Sequence, residues 1–259
     1  MAISSRADRD HFAEIRLSGP GKARSVQNQS PEVLMSLTLY FHPLASFCHK
    51  VLIALYENET PFSGEIVDLA DEEASAAFFA LWPVGKIPIL RDESRDRTVP
   101  ETSIIIEYLD RHYPGAFPLI PADPSEALEA RLWDRFFDLY VSVPMQKIVT
   151  DRIRPEGKTD PHGVSEARAM LGTAYDVAER HLTGRTWAAG AGFSIADCAA
   201  APALFYAECV QPFTSTHPNL AAYFTRLENR PSVQRTLGEA RPYFQFFPFK
   251  ENLPDRFRL

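Results

Sequence analysis

A hydroxyl and a thiol stand two residues apart in the stretch FHPLASFCHKVLIALYE, which runs from Phe41 to Glu57. Ser46 occupies the place where a helix N-cap belongs. Cys48 falls in the first turn of the helix that Phe47, Val51, Leu52, Leu55 and Tyr56 predict by their spacing. A hydroxyl at a helix N-terminus donates hydrogen bonds in a field that favours anions. A thiol there has its pKa lowered and can exchange with disulfides. The two side chains lie about 200° apart around a helix, so they cannot both face one pocket. The bulky apolar neighbours of Cys48 favour a place in the core. Ser46 is either a donor to a bound group or a plain cap.

Two further clusters offer binding. In GKIPIL, Pro88 stands inside an otherwise good strand, Lys86 to Leu90, although proline cannot donate to a ladder. It is either an edge-strand proline or the second half of a cis Ile87–Pro88 bond. In the second case Ile87 offers its backbone N–H and C=O to an extended peptide. In VPETSIII, Glu101 and Thr102 open a helix. The helix amides and the Thr102 hydroxyl suit a carboxylate, and Glu101 suits an ammonium group, so the pair could hold an α-amino acid head. The alternative is a cap with an acidic first turn. A third motif, FSIADCAAAPALF, places Ser194 and Asp197 in the S-x-x-D pattern of a capping box, with Phe193 and Cys198 spaced for a hydrophobic staple. That one reads as structural.

The elements that must carry these residues follow from periodicity. LTLYF (Leu37–Phe41) and FSGEIVDL read as strands, Asp71 to Leu81 as a helix, and RDESRDRT as a polar turn before a short strand at Val99. In ETSIIIEYLDRHY, Ile104, Ile105, Tyr108 and Leu109 share one side of a helix. The order is β-α-β-α-β-β-α over residues 36–113. Four prolines in the eleven residues PGAFPLIPADP make 114–124 a linker. Beyond it, Leu128, Leu132, Phe136 and Tyr140 recur every fourth residue, with Trp133 and Phe137 widening the stripe. Residues 163–182, 194–210 and 218–230 also read as helices. Residues 125–241 are therefore an all-α domain of about five helices. The aromatic tail over 242–259 should fold back over it, since unburied it would be an aggregation-prone patch.

The totals narrow the function. The 259 residues are 45% apolar and 24% charged, with net charge −7, which argues against nucleic acid as a partner. The three cysteines, Cys48, Cys198 and Cys209, all lie in apolar helical contexts, which suits a reducing compartment. The seven histidines show no metal-ligand spacing, so no structural metal is expected. No apolar run approaches the ~20 residues needed to span a membrane. Residues 1–35 lack a lasting period and read as a disordered extension, with Met35 as a plausible natural start.

Taken in order, GKIPIL, PETSIIIEYL and FSIADCAAAPALF resemble the cytosolic-type glutathione S-transferase family, of bacterial type, over roughly Leu37 to Arg241. The resemblance implies a thioredoxin-like α/β N-terminal domain followed by an all-helical domain. It also implies a cytoplasmic, homodimeric detoxification enzyme with glutathione as co-substrate and a small hydrophobic electrophile as partner. Ile87, before Pro88, matches the residue whose backbone pairs with the cysteinyl part of glutathione. Glu101 and Thr102 match the pair that holds the γ-glutamyl head, and Lys86 matches a position that reaches the glycine carboxylate. Ser194 and Asp197 match the capping box of a buried helix. Anchored on Pro43, Ser46 falls on the family's activating residue; anchored on Lys50-Val51, Ala45 takes that slot. A free thiol titrates near about 8.5, so the activating group must favour the thiolate. Ser46 fits as a hydroxyl donor, with Cys48 as the alternative. The electrophile pocket would lie between the domains, with Phe136, Phe137, Tyr140 and Met145 as candidate lining residues. Alternatives in the same fold are a glutathione-dependent isomerase or dehalogenase and a thiol–disulfide or dehydroascorbate-type reductase. A non-catalytic interaction module is a reading from another class.

Overall fold

The computed structural model describes residues 36–68 and 72–257; the extension expected over 1–35 lies outside them. The elements follow one another as β1 (Leu37–Phe41), α1 (Ser46–Glu57), β2 (Ser63–Ile66), α2 (Glu72–Leu81), β3 (Ile89–Asp92), β4 (Arg97–Val99), α3 (Thr102–His112), α4 (Pro124–Phe136), α5 (Val143–Arg152), α6 (Pro161–His181), α7 (Ile195–Val210), α8 (Pro218–Glu228) and α9 (Pro231–Ala240). Two compact units emerge. One takes the described residues up to His42 with Pro61–Pro100, and the other takes Pro43–Thr60 with the described residues from Glu101 onward. By compactness α1 and α3 therefore group with the later helices, α1 packing on α3, α7 and α9.

The first unit is a four-stranded sheet in the order β2-β1-β3-β4. β1 runs parallel to β2 and antiparallel to β3, with Leu39 opposite Leu90, and β3 pairs antiparallel with β4, with Leu90 opposite Val99. Leu37 and Leu39 are buried while Thr38 and Tyr40 between them are partly exposed, the alternation a pleated strand imposes. The strand expected from Lys86 begins only at Ile89. Pro88 has no N–H for the ladder, and pairing starts beyond it. The polar turn is held by Asp92, which is buried and accepts from Ser94 N at 3.0 Å, Ser94 Oγ at 2.6 Å and Arg95 N at 3.3 Å.

The second unit is helical, and among the described residues no strand follows Val99. Its centre is α7, buried along nearly its whole length, where small side chains from Ala196 to Ala203 let neighbouring helices approach closely. The capping box forms as expected. Asp197 accepts from Ser194 N at 2.8 Å, and it also accepts from Ala188 N at 3.0 Å and Tyr223 Oη at 2.6 Å. Phe193 meets Trp187 edge-on at 5.4 Å and lies under the Arg230 guanidinium.

Three helical expectations are corrected. Leu128 and Leu132 are not core residues but 69% and 62% exposed; α4 buries Ala127, Ala130, Trp133 and Asp134 instead. On α3, Ile104 is likewise exposed while Ile105, Ile106 and Leu109 are buried. Phe137–Ser142 forms a π-helical stretch leading into α5. Pro144, which lacks the N–H an α-helical ladder would need there, follows at the start of α5. The tail from Arg241 folds into short 3₁₀ turns that bury Phe244, Phe247, Phe249 and Leu253, with Phe247 against Tyr206 at 5.1 Å. All three cysteines are buried, and none is in a disulfide.

Candidate functional site

In the second unit the residue before α1, Ala45, is the N-cap, with extended backbone at φ −80°, ψ 118°. Ser46 is therefore the first helical residue rather than the cap that the sequence suggested. The carbonyl of Ala45 already accepts from Cys48 N and His49 N, so the helix opens one residue early. Freed from capping, Ser46 Oγ accepts instead from Gln146 Nε2 at 3.2 Å. Cys48, two residues on, is fully enclosed. His49 Nε2 donates to Pro43 O across the turn that enters the helix.

One turn beyond Ser46, α1 carries a lysine into the interior. Lys50 is 1% exposed; its ammonium lies 2.6 Å from Asp134, 2.7 Å from Asp138 and 3.0 Å from Ser103 Oγ. The ammonium donates hydrogen bonds to Asp138 and Ser103 Oγ and forms an ion pair with Asp134. Ser103 Oγ in turn donates to Asp134 at 2.6 Å, and Arg135 reaches Asp138 at 3.0 Å. Burial pushes the Asp138 carboxyl above its ordinary range, while Lys50 pulls it back. This network joins α1, α3, α4 and the π-helical stretch, and sequence reading missed it. Its signal was a lysine within an apolar helix, together with two aspartates at i, i+4, a like-charged pair that asks for a cation.

Ser103 directly follows the expected head-group pair. Thr102 is buried at the first position of α3. Glu101 is exposed and caps the helix, its carbonyl accepting from Ile105 N at 2.8 Å. Its backbone sits at φ 68°, ψ 119°, where a residue bearing a Cβ is strained by about 1–3 kcal/mol. Such outliers persist where the surroundings fix them.

In the first unit the Ile87–Pro88 bond is cis. Ile87 is half-buried against the cluster of Val67, Phe78 and Ile89, and Lys86 is exposed. Gly85, just before them, lies at φ +68°, and a Cβ there would come 2.3 Å from the Phe79 ring. The glycine of GKIPIL is therefore required twice over. The four candidate lining residues divide. Phe137 and Met145 are buried core residues at 0% and 2% exposure, which removes them from an open surface. Phe136 and Tyr140 remain partly exposed, with ring centroids 5.6 Å apart. Among the described residues no group of three or more His, Cys, Asp or Glu is arranged to hold a metal ion. None of the described helices is long and apolar enough to cross a membrane.

A sheet of this order, followed by a helical bundle, defines a thioredoxin-like α/β domain with an all-α partner. Residues 45–112 match the family model of the glutathione S-transferase N-terminal domain, and residues 142–231 match that of its C-terminal domain. The chain is 27% identical over 206 residues to glutathione S-transferase GstB of Escherichia coli K12, covering 78% of this chain and 97% of that one. It is 32% identical over 164 residues to the glutathione S-transferase-like protein LUC7 of a Fusarium species, covering 62% and 74%. Its fold is similar to the crystal structure of a glutathione S-transferase from Methylobacillus flagellatus with glutathione bound (TM-score 0.71, 27% identity, 78% of this chain and 98% of that one). The chain belongs to the glutathione S-transferase family.

Proposed function

We propose that the protein is a glutathione transferase in which Ser46 donates a hydrogen bond to the glutathione sulfur and so favours the thiolate for attack on a small apolar electrophile. The reading is carried by one observation: the hydroxyl stands at the first position of α1, where the helix dipole also favours an anion, whereas the Cys48 thiol is enclosed in the core. Its burial speaks against the reductase reading, which needs an accessible thiol. One unit of thiol pKa shift requires about 1.4 kcal/mol, within reach of such a donor. By the family resemblance, Glu101 and Thr102 take the γ-glutamyl head. The backbone of Ile87 takes the cysteinyl part, and Lys86 takes the glycine carboxylate. The bound glutathione of the Methylobacillus structure supports glutathione as the co-substrate. Phe136 and Tyr140 are the residues proposed to meet the electrophile. The same reading takes 36–113 and 125–241 as the family's two domains, a cytoplasmic location, and a second copy as partner.

The test is a pH titration of thiolate absorbance in the ultraviolet, with glutathione bound to wild type, Ser46→Ala and Cys48→Ala. A depressed thiol pKa that Ser46→Ala alone abolishes is the expected result. A signal that needs no glutathione and vanishes only in Cys48→Ala would make the protein a cysteine-type thiol exchanger. Affinity with no shifted thiol would favour a binding module.

A further inference from the structure

A serine hydroxyl has one proton to give and two lone pairs with which to receive. To stabilise a thiolate its proton must point at the sulfur, and what the lone pairs hold decides whether it does. Here one lone pair holds the side-chain amide of Gln146, whose Nε2 donates to Ser46 Oγ at 3.2 Å. Gln146 is held in place along α5. Thr150 Oγ1, one turn on, donates to its carbonyl at 2.8 Å. Met145 before it is buried in the core, and Lys147 after it pairs with Asp160 at 3.3 Å. Ser46 is fixed in turn as the first residue of a buried helix, itself 4% exposed. Both residues belong to the same compact unit.

Resting on the reading of Ser46 as the thiol's donor, we propose that Gln146 is a positioning residue: its amide occupies the acceptor side of the Ser46 hydroxyl and turns the hydroxyl proton toward the glutathione sulfur. Two effects follow. The amide on one lone pair disfavours the rotamers that point the proton toward Gln146 and so leaves it for the sulfur side. The hydroxyl is also a stronger donor while it accepts, since chained hydrogen bonds polarise one another by perhaps 10–30% each. An acceptor in place of the amide nitrogen would do the reverse and draw the proton away from the sulfur.

The experiment titrates the thiolate absorbance of glutathione bound to the full-length protein for wild type, Ser46→Ala, Gln146→Met and the double variant. Gln146→Met keeps the side-chain length and removes the donor; Gln146→Ala serves as a second variant should the methionine disturb α5. Ser46→Ala is expected to raise the bound thiol pKa by about one unit. Gln146→Met should raise it by a smaller amount, at least roughly 10–30% of that, and should add nothing in the Ser46→Ala background. A Gln146 variant that leaves the titration unchanged while Ser46→Ala shifts it overturns the positioning role and leaves the serine reading standing. An equal shift in the Ser46→Ala background would mean that Gln146 acts on the sulfur directly, and the proposal falls. No shift from Ser46→Ala removes the serine reading and the proposal together.

Discussion

Glu101 carries an exposed acidic side chain on a backbone at positive φ, as Glu59 and Asp96 do; its ψ of 119° sets it apart from Asp96, which lies in the left-handed helical region. Glycine would adopt that conformation without strain, so a glutamate there asks for a return on its side chain. The return proposed is an ammonium partner, the α-amino group of the γ-glutamyl head. Hydrogen bonds to charged groups contribute about 1.5–3 kcal/mol, which is roughly 10- to 100-fold in affinity. Glu101→Ala is therefore expected to weaken glutathione binding by at least about tenfold in calorimetric titration, with the fold retained. Glu101→Gly separates the two contributions, since it relieves the backbone and still loses the carboxylate. An unchanged affinity in both variants would remove the head-group role.

Helices α1, α3 and α4 and the π-helical stretch meet around a charge rather than around apolar side chains alone. Lys50, Ser103, Asp134 and Asp138 come one from each, and the lysine and both aspartates are almost fully enclosed. Lys50→Met would leave two buried carboxylates facing each other, at a cost of about 3–5 kcal/mol. The expected result is a lower denaturant midpoint with an unchanged slope. The triple variant Lys50→Met/Asp134→Leu/Asp138→Leu should recover most of that loss, because a well-packed apolar cluster replaces a buried ionic one at little net cost. If the single variant is as stable as wild type, the network does not hold these helices. At this scale the sequence was legible where a motif is local. The capping box of α7 is read from four consecutive residues, and the βαβαββα order from periodicity and punctuation. The partner of Ser46 was not legible, since Gln146 lies 100 residues away and nothing local marks it. Nor was the direction of the α4 stripe. Spacing every fourth residue says that Leu128 and Leu132 share a face, but not whether that face meets this chain's own core. Trp133 and the alanines took the core side, and Pro144 brought a π-helical stretch that no period of 3.6 anticipates.

For the molecule as a whole, the exposed apolar residues that the helical reading misplaced offer a face to the second copy proposed as partner. Leu128 and Leu132 stand one turn apart on α4, and Ile104 is exposed on α3. The bidentate pair between Arg131 and Glu107, at 2.8 and 3.0 Å, ties those two helices together. Contiguous exposed apolar patches of more than a few hundred Å² mark interaction surfaces, and these residues are candidates for one. A homodimer closed by a two-fold axis would bury the same patch from both sides. Leu128→Glu/Leu132→Glu is then expected to convert a dimer to a monomer in sedimentation equilibrium. It should also abolish any dependence of thermal unfolding on protein concentration, because association stabilises by mass action. Both substituted residues are exposed, so the monomer should stay folded and keep its far-ultraviolet circular dichroism. A wild-type protein that sediments as a monomer at all concentrations would remove the second copy as partner. A dimer that survives the double substitution would place the interface on another face.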